Sequence, residues 1–172
     1  MLTSVLHKLN RTIDIIYMFV ASALFIMLIC ASATQVFTRY VMNASLVGTE
    51  ELARYCFIWM SLLGGSIAVG RWAHTSISVV YDLLPRVPQK LVFCLQNICV
   101  IVLGVLFIKG GITMMSVSAS QLTPTLHIPK LVIYLAVPVS GFGMCLHAIE
   151  HICKALGELA GEEKMQEGEE AI

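Results

Sequence analysis

Charge is what this sequence has least of. Asp, Glu, Lys and Arg make up 13% of its 172 residues, while 58% are hydrophobic; soluble domains carry about 25% charged residues. Such a composition excludes an ordinary soluble domain. Eleven basic and eleven acidic residues cancel, so no net charge draws the chain to nucleic acid. A G-x-x-x-x-G-K-[ST] phosphate loop is missing, which excludes ATP use by this chain itself. Six cysteines are present without a C-x-x-C pair; Cys30, Cys56, Cys94, Cys99 and Cys145 lie in apolar stretches and Cys153 just beyond the last. They read as small packing residues, and a membrane dithiol oxidase is excluded.

The scarce charges are unevenly placed. Runs of 24, 16, 18 and 19 residues separate Asp14 from Arg39, Arg54 from Arg71, Lys90 from Lys109 and Lys130 from Glu150, each free of Asp, Glu, Lys and Arg. About 20 mostly apolar residues suffice for a helix to cross a bilayer. The fold class predicted is therefore an all-α integral membrane protein, one domain over 1–172, with helices near 13–38, 50–71, 90–110 and 129–153 and an acidic tail over 158–172. The first apolar run reaches the small-x-small stretch Ala31-Ser32-Ala33, but it is longer than the 7–15 residues of a cleaved signal and reads as a retained span.

Local chemistry supports these boundaries. Thr49 is a suitable cap for a helix opening with Glu50 and Glu51, and both acids then face Arg54 at i,i+4 and i,i+3. Pro85 and Pro88 precede the third helix; Pro129 suits the first position of the fourth, and Pro138 is expected to kink it. With the N-terminus inside, Lys8, Arg11, Arg71, Arg86, Lys90, Lys154 and Lys164 are cytoplasmic, against Arg39, Arg54, Lys109 and Lys130 outside. That bias favours both termini cytoplasmic.

Functional candidates are few because the span centres hold no ionisable residue. Gln35, Gln96 and Asn97 are their strongest polar groups, the polar path of a self-sufficient small four-helix carrier if one exists. Four-span multidrug exporters rely on an acid in the first helix, and this one has none. His7, His74, His147 and His151 fall near the cytoplasmic face, and His147 and His151 share a helix face beside Glu150. Interfacial anchoring is the default reading of such histidines, and a haem- or metal-binding bundle is the competing one. No cofactor is expected. The second helix is densest in candidates: Ser61, Gly65, Ala68 and Trp72 recur at spacings of four, three and four, with Gly64 and Ala68 as a second small-x-x-x-small pair. Such residues let another helix approach closely, in this bundle or in a partner. Polar and aromatic anchors at its ends are Glu50, Glu51 and Arg54 on one side, Arg71, Trp72 and His74 on the other, with Trp59 between; Arg39 closing the first helix is a further candidate.

Ordered along the chain, several of these residues resemble a known family. Gln35-Val36-Phe37-Thr38-Arg39-Tyr40 closes the first helix and Glu50-Glu51-Leu52-Ala53-Arg54-Tyr55 opens the second. Trp59, Gly64, Ala68, Arg71, His74, Leu84-Pro85, Leu126-His127-Ile128-Pro129, Tyr134 and Pro138 follow. Over roughly residues 34–140 the pattern is similar to the small membrane subunit of tripartite ATP-independent periplasmic (TRAP) transporters, the DctQ-like family. The resemblance implies a non-enzymatic subunit of the bacterial inner membrane. Its expected partners are a large membrane subunit that moves an organic acid, such as a C4-dicarboxylate or sialic acid, by an elevator-like motion driven by sodium, and a periplasmic substrate-binding protein. The small subunit would brace the large one.

Overall fold

A computed structural model describes the backbone of residues 2–43, 46–71 and 86–170, and the side chains of residues 6–43, 46, 48–71 and 92–155. Among the described residues five helices follow in order: α1 Leu2–Val41, α2 Val47–Arg71, α3 Arg86–Ser118, α4 Lys130–Tyr134 and α5 Ala136–Glu170. Four helical stretches are long and apolar enough to cross a membrane: Leu6–Val41, Gly48–Arg71, Val92–Ser118 and Lys130–Ala155, the last combining α4 and α5. The architecture is therefore an all-α bundle with four spans.

Every helix outruns the boundaries set by charge, for identifiable reasons. α1 starts at Leu2 rather than Ile13 because Lys8, Arg11 and Asp14 end an apolar run without interrupting helical hydrogen bonding. At 1.5 Å per residue its 40 residues reach about 60 Å, twice a hydrocarbon core of about 30 Å. α2 begins at Val47, so Thr49 is not its cap; the Thr49 hydroxyl donates back to the Leu46 carbonyl at 2.7 Å. α3 takes Pro88 into its first turn, where the missing N–H has no intrahelical partner to lose. It continues past Lys109 to Ser118, because a charge limits a span and not a helix. Pro129 caps α4 instead of opening it. Pro138 has no N–H to offer the Tyr134 carbonyl four residues earlier, and α4 ends at Tyr134. Leu135 keeps right-handed helical angles, so α5 resumes at once. The acidic stretch from Glu158 belongs to α5 as far as Glu170.

Packing joins the helices in the order α1, α2, α5, α3: α3 lies along α5, α1 along α2, and α2 meets α5 between them. Glycine makes the α3–α5 contact possible. A Cβ on Gly141 would lie 2.7 Å from the Gly104 carbonyl oxygen and 2.8 Å from Phe107 Cβ, and one on Gly111 would strike the Pro138 ring. Gly143 similarly admits the Tyr17 ring and the Ser66 hydroxyl where α1, α2 and α5 converge. Leu63, Ile67, Ala136, Met144 and Ala148 form the buried apolar core.

The outside of the bundle is as apolar as its inside. Phe19, Ile26, Phe37, Leu95, Leu106 and Val117 are all more than half exposed. Each such side chain is worth about 1.5–3 kcal/mol once removed from water, so hydrocarbon is the surrounding medium this surface requires.

Candidate functional site

At the end where α1 finishes and α2 starts, the paired acids separate. Glu50 stays at the surface, 3.3 Å from Arg54, and takes a 3.4 Å contact from Gln35 Nε2. Both charged side chains are well over half exposed, and such a pair contributes less than about 1 kcal/mol. Arg39 is also exposed, one helix away. Glu51 turns inward and is 9% exposed. Its carboxylate accepts the Tyr55 hydroxyl and the backbone N–H groups of Thr125 at 3.0 Å and Leu126 at 2.9 Å. The expected Glu50–Glu51–Arg54 triad is thus corrected: one acid pairs with the arginine, and the other holds the connection between α3 and α4.

That connection is ordered by bonds of its own. Thr123 N–H donates to the Ile128 carbonyl at 2.9 Å, Ile128 N–H to Thr123 Oγ1 at 3.0 Å, and Lys130 N–H to the Gln121 carbonyl at 3.0 Å. His127 adopts a positive φ of 51° to make the return. Trp59 Nε1 donates to the Val132 carbonyl at 3.2 Å and ties α2 to α4.

The flank of α2 divides the small residues. Ser66 is fully buried and Gly70 meets the His147 ring, where a Cβ would come within 2.8 Å. Gly65 faces Met144, with 3.7 Å to its Cε. Ser61 and Ala68 are exposed, and a Cβ on Gly64 would meet nothing within 4 Å. Phe57, Ser61, the half-buried Gly64, Ala68 and Arg71 therefore line one outward stripe that the described residues of the chain leave uncovered. Arg71 leans onto Met18, Nη2 to Sδ 3.8 Å. Trp72 and His74 lie outside the described residues.

The opposite end of the bundle carries a polar network that charge-free intervals could not reveal. Glu150 on α5 receives His7 Nδ1 at 2.8 Å, Lys154 Nζ at 2.6 Å and the Asn10 amide. Asn10 Nδ2 also donates to the Leu146 carbonyl at 3.2 Å. One turn along, His147 Nε2 lies 3.1 Å from Asp14 Oδ1. Asn10 and His147 are 3% and 2% exposed. The spacings Asn10–Asp14 and Glu150–Lys154 at i,i+4, on helices placed at one face, were the available signal. His151 packs against Phe93, ring centres 6.3 Å apart. Among the described residues no three His, Cys, Asp or Glu side chains converge as a metal-ligand set.

Nor are the amides of a carrier path assembled. Gln35 reaches toward Glu50 near the end of α1, whereas Asn97, near the start of α3, donates to its own helix at the Phe93 carbonyl, 2.8 Å away. They occupy opposite ends of the bundle.

These features define a class: a multi-pass membrane component with lipid-compatible walls and polar fastenings at both ends. Sequence comparison supplies the family. Residues 28–158 match the family described as tripartite ATP-independent periplasmic transporters, DctQ component, and the chain belongs to that family. It is 28% identical over 157 residues to the sialic acid TRAP transporter small permease protein SiaQ of Vibrio cholerae, covering 91% of this chain and 90% of that one. A C4-dicarboxylate TRAP transporter small permease protein, DctQ of Rhodobacter capsulatus, is 27% identical over 126 residues, 70% of this chain and 53% of the relative. The isethionate TRAP transporter permease protein DctMQ of Oleidesulfovibrio alaskensis is 31% identical over 121 residues, 69% of this chain but 18% of that much longer protein. The protein is thus a TRAP-type small permease component, resident in the bacterial inner membrane.

Proposed function

We propose that the chain braces a large TRAP membrane subunit, which carries out sodium-driven uptake of an organic acid delivered by a periplasmic binding protein. Both termini are cytoplasmic in this reading. It follows that Glu50, Glu51, Arg54 and the 119–129 connection face the periplasm, while the Asn10–Glu150 network faces the cytoplasm. The observation that carries the reading is the outward Ser61–Gly64–Ala68 stripe. Its small side chains would let a partner's helix approach α2 closely, and close packing drives helix association in lipid. A match confined to 18% of a much longer permease protein supports the same division of labour. So does the separation of Gln35 and Asn97, which bond at opposite ends of the bundle. Relatives differ in the substrate their names carry, sialic acid, C4-dicarboxylate or isethionate, which suits a small subunit that leaves recognition to other components.

The test is reconstitution in liposomes, with and without a large TRAP membrane subunit from the same organism, using organic-acid uptake under a sodium gradient. Uptake is expected only with both subunits and the binding protein, and it should fall when sodium is replaced. Uptake by this chain alone would overturn the proposal in favour of a small autonomous carrier.

A further inference from the structure

The charge-free interval of the third span ends at Lys109, yet helix packing carries that lysine away from the end. α3 runs antiparallel to α5: Gly111 lies against Pro138, Gly104 against Gly141 and Cys145, and the Phe93 ring beside His151. α5 in turn runs parallel to α2, with Gly65 against Met144, Ser66 against Gly143 and Gly70 against His147. Together these contacts set Lys109 level with Pro138 and with residues 61–63 of α2. That turn is midway between Arg54 and Arg71, the charges that bound the apolar stretch of α2. At 1.5 Å per residue Lys109 is about 12 Å from either level, near the middle of the hydrocarbon.

Its side chain is exposed, on the flank of α3 turned away from α5. Val102, Leu106, Lys109, Thr113 and Ser116 follow one another at spacings of four, three, four and three, and all five are exposed. Among the described residues no carboxylate pairs with Lys109. Thr113 and Ser116 turn their hydroxyls back to the Lys109 and Thr113 carbonyls at 3.0 and 2.7 Å. Helical side chains lean toward the helix N-terminus, so the lysine stem leaves the backbone pointing away from Ser116 and the connection beyond it. An ammonium at this depth is costly and calls for a partner. Lipid chains offer no acceptor there. A second copy joined by a two-fold axis would set lysine against lysine, and Asp14, Glu50, Glu51 and Glu150 bond near the bundle ends.

We infer that this flank of α3 docks a transmembrane helix of the large subunit, whose Asp or Glu carboxylate pairs with Lys109 at mid-membrane. The inference rests on the bracing role and adds a second contact to the α2 stripe. Small residues permit close approach, whereas a charge pair out of water also fixes depth and register.

The test co-expresses the chain with a large TRAP membrane subunit from the same organism and purifies through a tag on the chain. Lys109→Leu should lower recovery of the large subunit several-fold, and Lys109→Arg should largely restore it. Made alone, Lys109→Leu should insert and unfold at or above the wild-type midpoint. A lower midpoint would show that Lys109 holds this chain's own bundle and would overturn the inference. Replacing each Asp or Glu within the large subunit's spans by its amide should find one whose loss matches Lys109→Leu and adds nothing to it. If none does, carboxylate pairing is overturned. Recovery that Lys109→Leu leaves unchanged defeats the Lys109 contact alone, whereas a wild-type chain that recovers no large subunit defeats the bracing role and this contact together.

Discussion

Glu51 accepts the Leu126 N–H at 2.9 Å across 75 residues of chain. A carboxylate at the start of one span thereby sets the shape of the connection between two others, and Thr125 and Tyr55 complete its coordination. The neighbouring Glu50 does something different, because a helix turns about 100° between consecutive residues and leaves it outside beside Arg54.

Glu51→Ala is therefore expected to loosen the 119–129 connection, and Glu50→Ala is not. Hydrogen exchange at the Thr125 and Leu126 amides should speed up by at least about tenfold in the first variant, the scale of one lost hydrogen bond, and stay unchanged in the second. Exchanging Glu51 with Arg54 should not restore protection, since the structure does not pair them. Recovery in the swapped protein would contradict the clasp.

Glycines on α3 and α5 sit in two environments that separate packing from conformational freedom. Gly141→Ala or Gly104→Ala should destabilise the α3–α5 contact by about 1–3 kcal/mol through overpacking, because each Cβ would land within 3 Å of the facing helix. Gly110→Ala meets nothing within 4 Å and should be neutral or slightly stabilising. Unfolding midpoints of the three variants check this. Equal behaviour would show that the helices do not cross there.

Glu150→Ala should be the most damaging single change at the network end. It leaves the buried Asn10 amide without its carboxylate acceptor, a loss of about 1–3 kcal/mol, while Lys154 and His7, both more than half exposed, can turn to water. Lys154→Ala removes a half-exposed partner and should cost much less. The ratio of folded to aggregated protein after detergent extraction reports the difference.

The sequence disclosed the four spans because charge and apolar length carry that information directly, and Pro138 marked the one interruption in the last span. Helix ends were less legible, since a lysine such as Lys109 or an aspartate such as Asp14 stops an apolar count but not a hydrogen-bonded helix. Of the polar contacts, Glu50 with Arg54 was readable from i,i+4 spacing. Glu51 with Leu126 was not, as it joins residues 75 apart through backbone amides that every residue possesses. The Asn10–Glu150 contact was not readable for a related reason: Glu150 stood out only beside His147 and His151, and only the α1–α5 packing brings Asn10 to it. The small residues of α2 were visible as a stripe, but whether they faced inward required the third dimension, which turns Gly65 toward Met144 and Gly64 away.

That difference gives the most direct measurement of the subunit role. Gly64→Leu adds bulk at a position where a Cβ meets nothing within 4 Å, so the variant should fold, insert and unfold near the wild-type midpoint. Affinity purification through a tag on this chain should then recover much less of the large membrane subunit than the wild type does, with Ser61→Leu behaving alike. Full recovery of the large subunit with both variants, together with undiminished uptake, would contradict α2 as the bracing surface.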